Sequence, residues 1–161
     1  IKFIISIPIN CVKVFMSYKG KFRPTNRKKY KGDPGNIIYR SLWERKFMIY
    51  CDTNPNILEW GSEEIIIPYV SPIDGKPHRY FPDFYIKTLN EDKFLVEIKP
   101  KAQTKPPKKR KRTSRYLYEI KTWGVNQAKW EAADAVCKRN GWKFIILTED
   151  HLNTHKYISN K

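Results

Sequence analysis

The chain is predicted to form one mixed α/β domain, ordered helix, antiparallel three-strand meander, helix, strand. Three observations support this. A segment with a helical N-cap signature and an apolar stripe begins at Ser41. Runs rich in aromatic and β-branched residues follow at 57–60, 65–69, 79–86 and 94–99, separated by turn sequences. A second helix-like stretch then leads to a last apolar run at 142–147. With 161 residues, 40% of them hydrophobic, the chain has the size of one domain and enough apolar material for a real core.

In order, residues 1–15 are mostly apolar but lack the basic lead and small-residue cleavage site of a signal peptide. Met16 opens a polar, basic stretch, so it reads as the natural start and residues 1–15 as an upstream extension. Residues 16–36 form a basic arm punctuated by Gly20, Pro24, Gly32, Pro34 and Gly35, with Tyr18, Phe22 and Tyr30 to anchor it. Ser41-Leu-Trp-Glu44 is a capping-box pattern. Trp43, Phe47, Tyr50 and Cys51 then repeat at helical spacing until Asn54-Pro55 stops the helix. Residues 57–60 are extended and broken at Gly61; 65–69 form a strand, and 71–76 a turn containing Asp74-Gly75. Residues 79–86 and 94–99 read as a hairpin about Asn90.

Residues 100–115 are an extended loop of prolines and repelling charges. Residues 116–123 read as a short helix interrupted at Gly124. A second helix starts at Asn126, carries Ala128, Ala132, Ala133, Val136 and Cys137 on one side, and closes at Asn140-Gly141. The strand 142–147 reads as buried, and residues 151–161 as a frayed tail.

Net charge is +16. Residues 19–31 hold seven basic groups and residues 99–115 hold nine, with no acid in either segment, while the remainder is balanced. Such segmental excess suits a polyanion, most simply nucleic acid. Neither segment has the apolar stripe of a membrane-surface helix, and no apolar run reaches the ~18 residues of a spanning helix. Cys11, Cys51 and Cys137 form no C-x-x-C pair, which points to isolated thiols in a reducing compartment. His78, His151 and His155 show no ligand pattern.

The hairpin concentrates the chemistry. With its centre at Asn90, Asp83 falls opposite Glu97, and Phe81 opposite Lys99. Alternation then puts Asp83, Glu97 and Lys99 on one face and Phe84, Ile86, Phe94, Val96 and Ile98 on the other. Opposed cross-strand residues have Cβ atoms only ~4.5–5.5 Å apart, and like charges there repel. A hard divalent cation such as Mg²⁺ would compensate. From the residues alone the alternative stands beside it: both acids solvated, with Lys99 as an ordinary partner. Glu44 is likewise open between helix cap and site residue. Glu63 and Glu64 are further acids, read as solvated.

Pro82-Asp83 followed by Glu97-Ile98-Lys99, with helical Glu44 upstream, resembles the PD-(D/E)xK nuclease superfamily, whose fold is the restriction-endonuclease-like α/β core. Tyr80-x-Pro82-Asp83-Phe84, Glu97-x-Lys99 and the late stretch 141–149 resemble the endonuclease subunit of certain cut-and-paste transposases. A closer resemblance, over about residues 16–150, is to the head completion nucleases of large contractile-tailed phages. It is carried by segments 18–26, 36–47, 60–69 and 126–130.

That resemblance implies a nuclease domain over residues 37–150 that hydrolyses DNA phosphodiester bonds. Asp83, Glu97, Glu44 and the Ile98 backbone carbonyl would hold Mg²⁺ or Mn²⁺. Lys99 would orient or deprotonate water or steady phosphate charge, and Gln127 would be a polar helper. Lys101, Lys105, Lys108, Lys109, Arg110, Lys111, Arg112 and Arg115 of the loop, with Arg23, Arg27, Lys28 and Lys29 of the arm, would bind the DNA. The implied partners are double-stranded DNA and phage head and neck proteins. The implied setting is the head-tail junction of the virion, and the host cytoplasm during assembly. The alternative is a non-catalytic DNA-binding protein of the phage neck.

Overall fold

Four strands form the central sheet of the computed structural model, which describes residues 18–152. In spatial order they are β3 (Ile57–Ser62), β6 (Phe84–Thr88), β7 (Lys93–Ile98) and β8 (Lys143–Leu147). The first three are antiparallel, and β8 joins β7 in parallel. Helix α1 (Leu42–Thr53) precedes the sheet, and α2 (Ser114–Asn140) links β7 to β8. The expected mixed α/β class is observed, but the three antiparallel strands of the central sheet are β3, β6 and β7, and the run 65–69, expected to open the meander, lies in a separate sheet. The leader 1–15, Met16, Cys11, His155 and most of the tail lie outside the described residues.

The sheet is covered on both faces. Phe84, Ile86, Phe94, Val96 and Ile98 point to one side, where they pack with Phe47, Met48 and Cys51 of α1. Leu95 points to the other, where it packs with Tyr80 and with Trp130, Ala133 and Cys137 of α2. The Glu97 face is thus the floor of a second core. Cys51 and Cys137 are buried free thiols in the two clusters.

α1 begins as its cap predicts: the Ser41 hydroxyl accepts the Glu44 N–H at 3.1 Å. α2 departs from expectation. It is one helix through Gly124, 27 residues long, capped by Thr113 at its start and by left-handed Gly141 at its end. A helix-interior glycine costs only about 1 kcal/mol relative to alanine. Trp123 and Val125 on either side of Gly124 pack against the second core and hold the helix together. No described helix is long and apolar enough to cross a membrane.

Three further expectations are corrected. The run 79–86 is two strands. β5 (Pro77–Tyr80) pairs with β4 (Ile67–Val70) in a separate hairpin inserted between β3 and β6. Pro82, which has no N–H to give a ladder, lies in the joint. Phe81 and Lys99 accordingly lie beyond the ladder and do not pair across it. Gly61 does not end β3, which continues to Ser62. Strand β8 is an edge strand and mostly half-buried. The chain then turns into α3 (Glu149–Leu152), with Leu152 buried beneath it and the His151 ring accepting the Thr148 N–H.

The basic arm is also folded. β1 (Gly20–Phe22) pairs with β2 (Ile37–Tyr39), and the segment between them runs beside β3 through a bridge from Tyr30 to Trp60. Phe22 and Tyr30 anchor it in the core as expected, while Tyr18 stays exposed and stacks on Tyr39. Asp52, buried at the end of α1, accepts the N–H groups of Thr25 and Asn26 at 2.8 and 3.0 Å. Asp52→Ala is expected to cost about 2 kcal/mol, because two backbone donors lose their acceptor. Urea unfolding measures this, and an unchanged midpoint would mean that the aromatics alone hold the arm.

Candidate active site

The register of β6 and β7 sets the site. Phe84 faces Val96, Tyr85 faces Leu95, Ile86 faces Phe94 and Lys87 faces Lys93. These pairs centre on Asn90, and continuing them by one step puts Asp83 across from Glu97. The turn itself is made by Glu91, whose φ of 63° is left-handed.

Each side chain is held by a different element. Asp83 precedes β6 and is half-buried; its Oδ2 accepts the Ile98 N–H at 2.7 Å. Glu97 in β7 is only 4% exposed. Its Oε2 accepts the Tyr80 hydroxyl at 2.7 Å, and its Oε1 lies 3.0 Å from the Lys99 ammonium. The Lys99 N–H donates to Leu147 of β8 at 2.9 Å, so the parallel strand fixes its backbone. Two carboxylates and one ammonium therefore share one end of the sheet.

The electrostatics follow from that crowding. Burial and then the charge of Glu97 push the Asp83 carboxyl up to about 8, against the opposing pull of Ile98 N–H and Lys99. Burial alone would lower the Lys99 pKa, but the charges of Glu97 and Asp83 outweigh it and keep Lys99 an ammonium. Burial, then the charge of Glu97, raises the Tyr80 phenol far above its usual range, so it remains a proton donor.

Glu44 occupies its cap. Its two carboxylate oxygens accept the Ser41 hydroxyl at 2.9 Å and the Arg40 N–H at 2.7 Å. Its charge still acts on both Asp83 and Lys99. Ile98 meets the site through its N–H. Gln127 lies in the middle of α2, not at a helix start, and makes no hydrogen bond to the acids among the described residues. Glu63 donates its N–H to the Asp83 carbonyl at 3.2 Å, and Glu64 accepts the Tyr30 hydroxyl at 2.8 Å. Glu64 is exposed as expected, and Glu63 is half-buried.

Among the described residues no three His, Cys, Asp or Glu side chains converge to cage an ion. Mg²⁺ does not need a cage: it commonly takes one or two carboxylates and keeps several waters. Asp83 and Glu97 meet that requirement. Asp83 Oδ1 has no hydrogen-bond partner among the described residues, and once both carboxyls are ionised Lys99 balances only one of their two charges. A hard divalent cation fits these residues.

The basic residues divide into three groups. Arg23, Arg27, Lys28, Lys105, Lys108, Lys109, Lys111 and Arg112 are exposed, with no ion pair among the described residues. Lys101 pairs with Asp150, while Arg110 and Arg115 both pair with Glu119. Lys29 is half-buried and donates to the carbonyls of Asp52 and Asn54 at 3.1 and 2.8 Å, closing the end of α1. It is a structural lysine. Residues 25–29 line an open cavity of about 400 Å³ that includes none of the acids. The loop begins as a short 3₁₀ turn, Lys101–Thr104.

Tyr80 is the site residue that sequence reasoning missed. It lies in β5, outside the β6–β7 hairpin, and only the path of the joint at residues 81–83 brings its hydroxyl to Glu97.

A mixed sheet flanked by helices, with an acid pair and a lysine at one end, is compatible with a restriction-endonuclease-like fold. Residues 54–149 match the family described as TnsA-like endonuclease N terminal. The chain is also 46% identical over 142 residues to the head completion nuclease of Enterobacteria phage T4, covering 85% of this chain and 95% of that protein. It belongs to the head completion nuclease family, with a TnsA-like endonuclease domain.

Proposed function

We propose that this chain is a metal-dependent endonuclease that hydrolyses DNA phosphodiester bonds during phage head completion, at the packaged DNA end before the tail joins. The observation that carries this reading is the placement of Asp83 across from buried Glu97, with the Lys99 ammonium 3.0 Å from Glu97. The family supports it, since the phage T4 relative is itself named a head completion nuclease.

Asp83 and Glu97 would hold Mg²⁺ or Mn²⁺, with the Ile98 carbonyl as a further oxygen and the Glu44 charge completing the site. When bound, the cation supplies Lewis-acid stabilisation of phosphoryl charge and activation of water. Lys99 orients the attacking water and steadies charge on the phosphate. Tyr80 holds Glu97 so that its other oxygen faces the site. The loop cations and the exposed arm cations grip the DNA backbone. Virion location and neck-protein contacts belong to the same proposal.

The test is nicking of supercoiled plasmid with Mg²⁺. Nicking that is lost in EDTA and in Lys99→Ala supports the proposal; nicking that survives Lys99→Ala overturns the site. The exposed, unpaired loop cations favour a second reading, DNA binding without cleavage in the neck. A chain that binds duplex but never nicks would establish that one. Tyr80→Phe should raise the metal concentration for half-maximal nicking about tenfold, as loss of a ligand's hydrogen-bond partner typically does. An unchanged requirement would reduce Tyr80 to packing.

A further inference from the structure

We infer that Arg40 is a phosphate-binding residue at the rim of the Asp83–Glu97–Lys99 site, and that Glu63 holds its guanidinium until a DNA phosphate displaces it. The inference deepens the nuclease reading above and rests on it. Arg40 stands immediately before the Ser41 cap, and its N–H is fixed to Glu44 at 2.7 Å. Its guanidinium is ion-paired with the Glu63 carboxylate. The Glu63 N–H in turn donates to the Asp83 carbonyl at 3.2 Å. The pair is therefore anchored on one side to α1 and on the other to the backbone of Asp83. Glu63 first, then Glu44 and Asp83, act on Arg40 with their negative charge.

Folding does not explain this arrangement. The two side chains are 54% and 36% exposed. Ion pairs that exposed contribute little to stability. Glu63 nevertheless adopts left-handed backbone, φ 56°, which is unfavourable for a residue with a Cβ. The cost is retained at a position that sets an arginine beside a carboxylate pair. A phosphate approaching two acids needs a cation at the rim, and Lys99 is already engaged with Glu97. Among the described residues the Arg40 guanidinium is held only by the Glu63 carboxylate, which water can receive. The guanidinium fork matches two phosphate oxygens, as it matches a carboxylate, so Glu63 and phosphate compete for one donor set.

The experiment is fluorescence anisotropy of a labelled duplex with the full chain in EDTA, across a salt series. R40Q should bind about tenfold more weakly at low salt, as for loss of a charged hydrogen bond, and its log–log salt slope should shrink by about 0.9. R40K should keep the slope but not the affinity. E63Q should tighten binding about threefold, and this gain should vanish in the R40Q background, since only Arg40 is released. R40Q with the parent affinity and slope overturns the proposal. An E63Q gain that persists in R40Q also overturns it, because simple removal of a negative charge then suffices. The E63Q result is a gain, so misfolding cannot imitate it. Plasmid nicking reports separately: this binding pattern in a chain that never nicks sinks the nuclease reading and leaves the phosphate contact standing.

Discussion

Asp83→Asn is expected to reduce plasmid nicking by at least about 10²-fold, the scale on which single charge-stabilising groups act in catalysis, while making the metal-free protein more stable at pH 8. Both outcomes have one cause. The Asp83 carboxyl is raised to about 8 by burial and by Glu97, so the folded state prefers it protonated. A group whose pKa is higher folded than unfolded lends its stability below the unfolded value, and that stability is lost as pH rises through the folded value. The melting temperature of the metal-free parent should therefore fall between the ordinary carboxylate range and about pH 8. Asparagine removes the charge and can still accept the Ile98 N–H. A gain of about 2–4 °C at pH 8 is expected, corresponding to roughly 1 kcal/mol in a chain this size. Added Mg²⁺ should raise the parent's melting temperature more at pH 8 than at pH 5, since it binds the folded, ionised pair. An Asp83→Asn protein that still nicks at the parent rate would remove Asp83 from the chemistry.

Trp60→Ala should be the most damaging core substitution, costing about 3–5 kcal/mol. That is a large share of the 5–15 kcal/mol usual for a folded protein. Trp60 is fully buried, and its ring meets Tyr30 edge-on at 4.7 Å and Phe22 at 5.8 Å. Its carbonyl accepts the Lys31 N–H at 2.7 Å. One side chain thus joins the basic arm to β3. Its indole N–H is buried without a partner among the described residues, so Trp60→Phe sheds an unsatisfied donor along with the lost volume and should cost less. Urea unfolding gives the ordering, and limited proteolysis should cut residues 23–36 first in the alanine variant. Equal midpoints for the parent and Trp60→Ala would show that the arm and sheet are stabilised elsewhere.

Much of the site was legible because it is local. Phe84, Ile86, Phe94, Val96 and Ile98 alternate on two strands joined by a short turn, and a one-residue slip would have put them all on the wrong face. That alternation together with the polar turn sequence around Asn90 sets the centre. The Ser41 cap was legible for the same reason: donor and acceptor lie three residues apart.

What stayed hidden is non-local. Nothing within residues 79–86 says that Tyr80 belongs to one hairpin and Phe84 to another sheet. Gly124 looks like a helix break until the packing of Trp123 and Val125 is known. Nothing within residues 94–99 shows that Glu97 is enclosed, because only the return of α2 closes that face. The Arg40–Glu63 pair joins residues that neither helix nor hairpin spacing relates, through a backbone conformation that glutamate rarely takes.

The parallel return of β8 has a consequence for how the protein is assembled in time. β6 and β7 are separated by residues 89–92 alone, whereas β8 reaches β7 only after the loop and all of α2. Contacts between near neighbours form faster than distant ones, because less chain must be ordered to close them. The hairpin can therefore pair while both its acids are still hydrated and charged. Their enclosure comes with the last major docking step, and the repulsion that Asp83 carries in the finished fold is absent from the early intermediate. Pulsed hydrogen exchange during refolding should protect the Phe84–Thr88 and Lys93–Ile98 amides before those of Lys143–Leu147. Simultaneous protection would mean that sheet and crossover close as one unit.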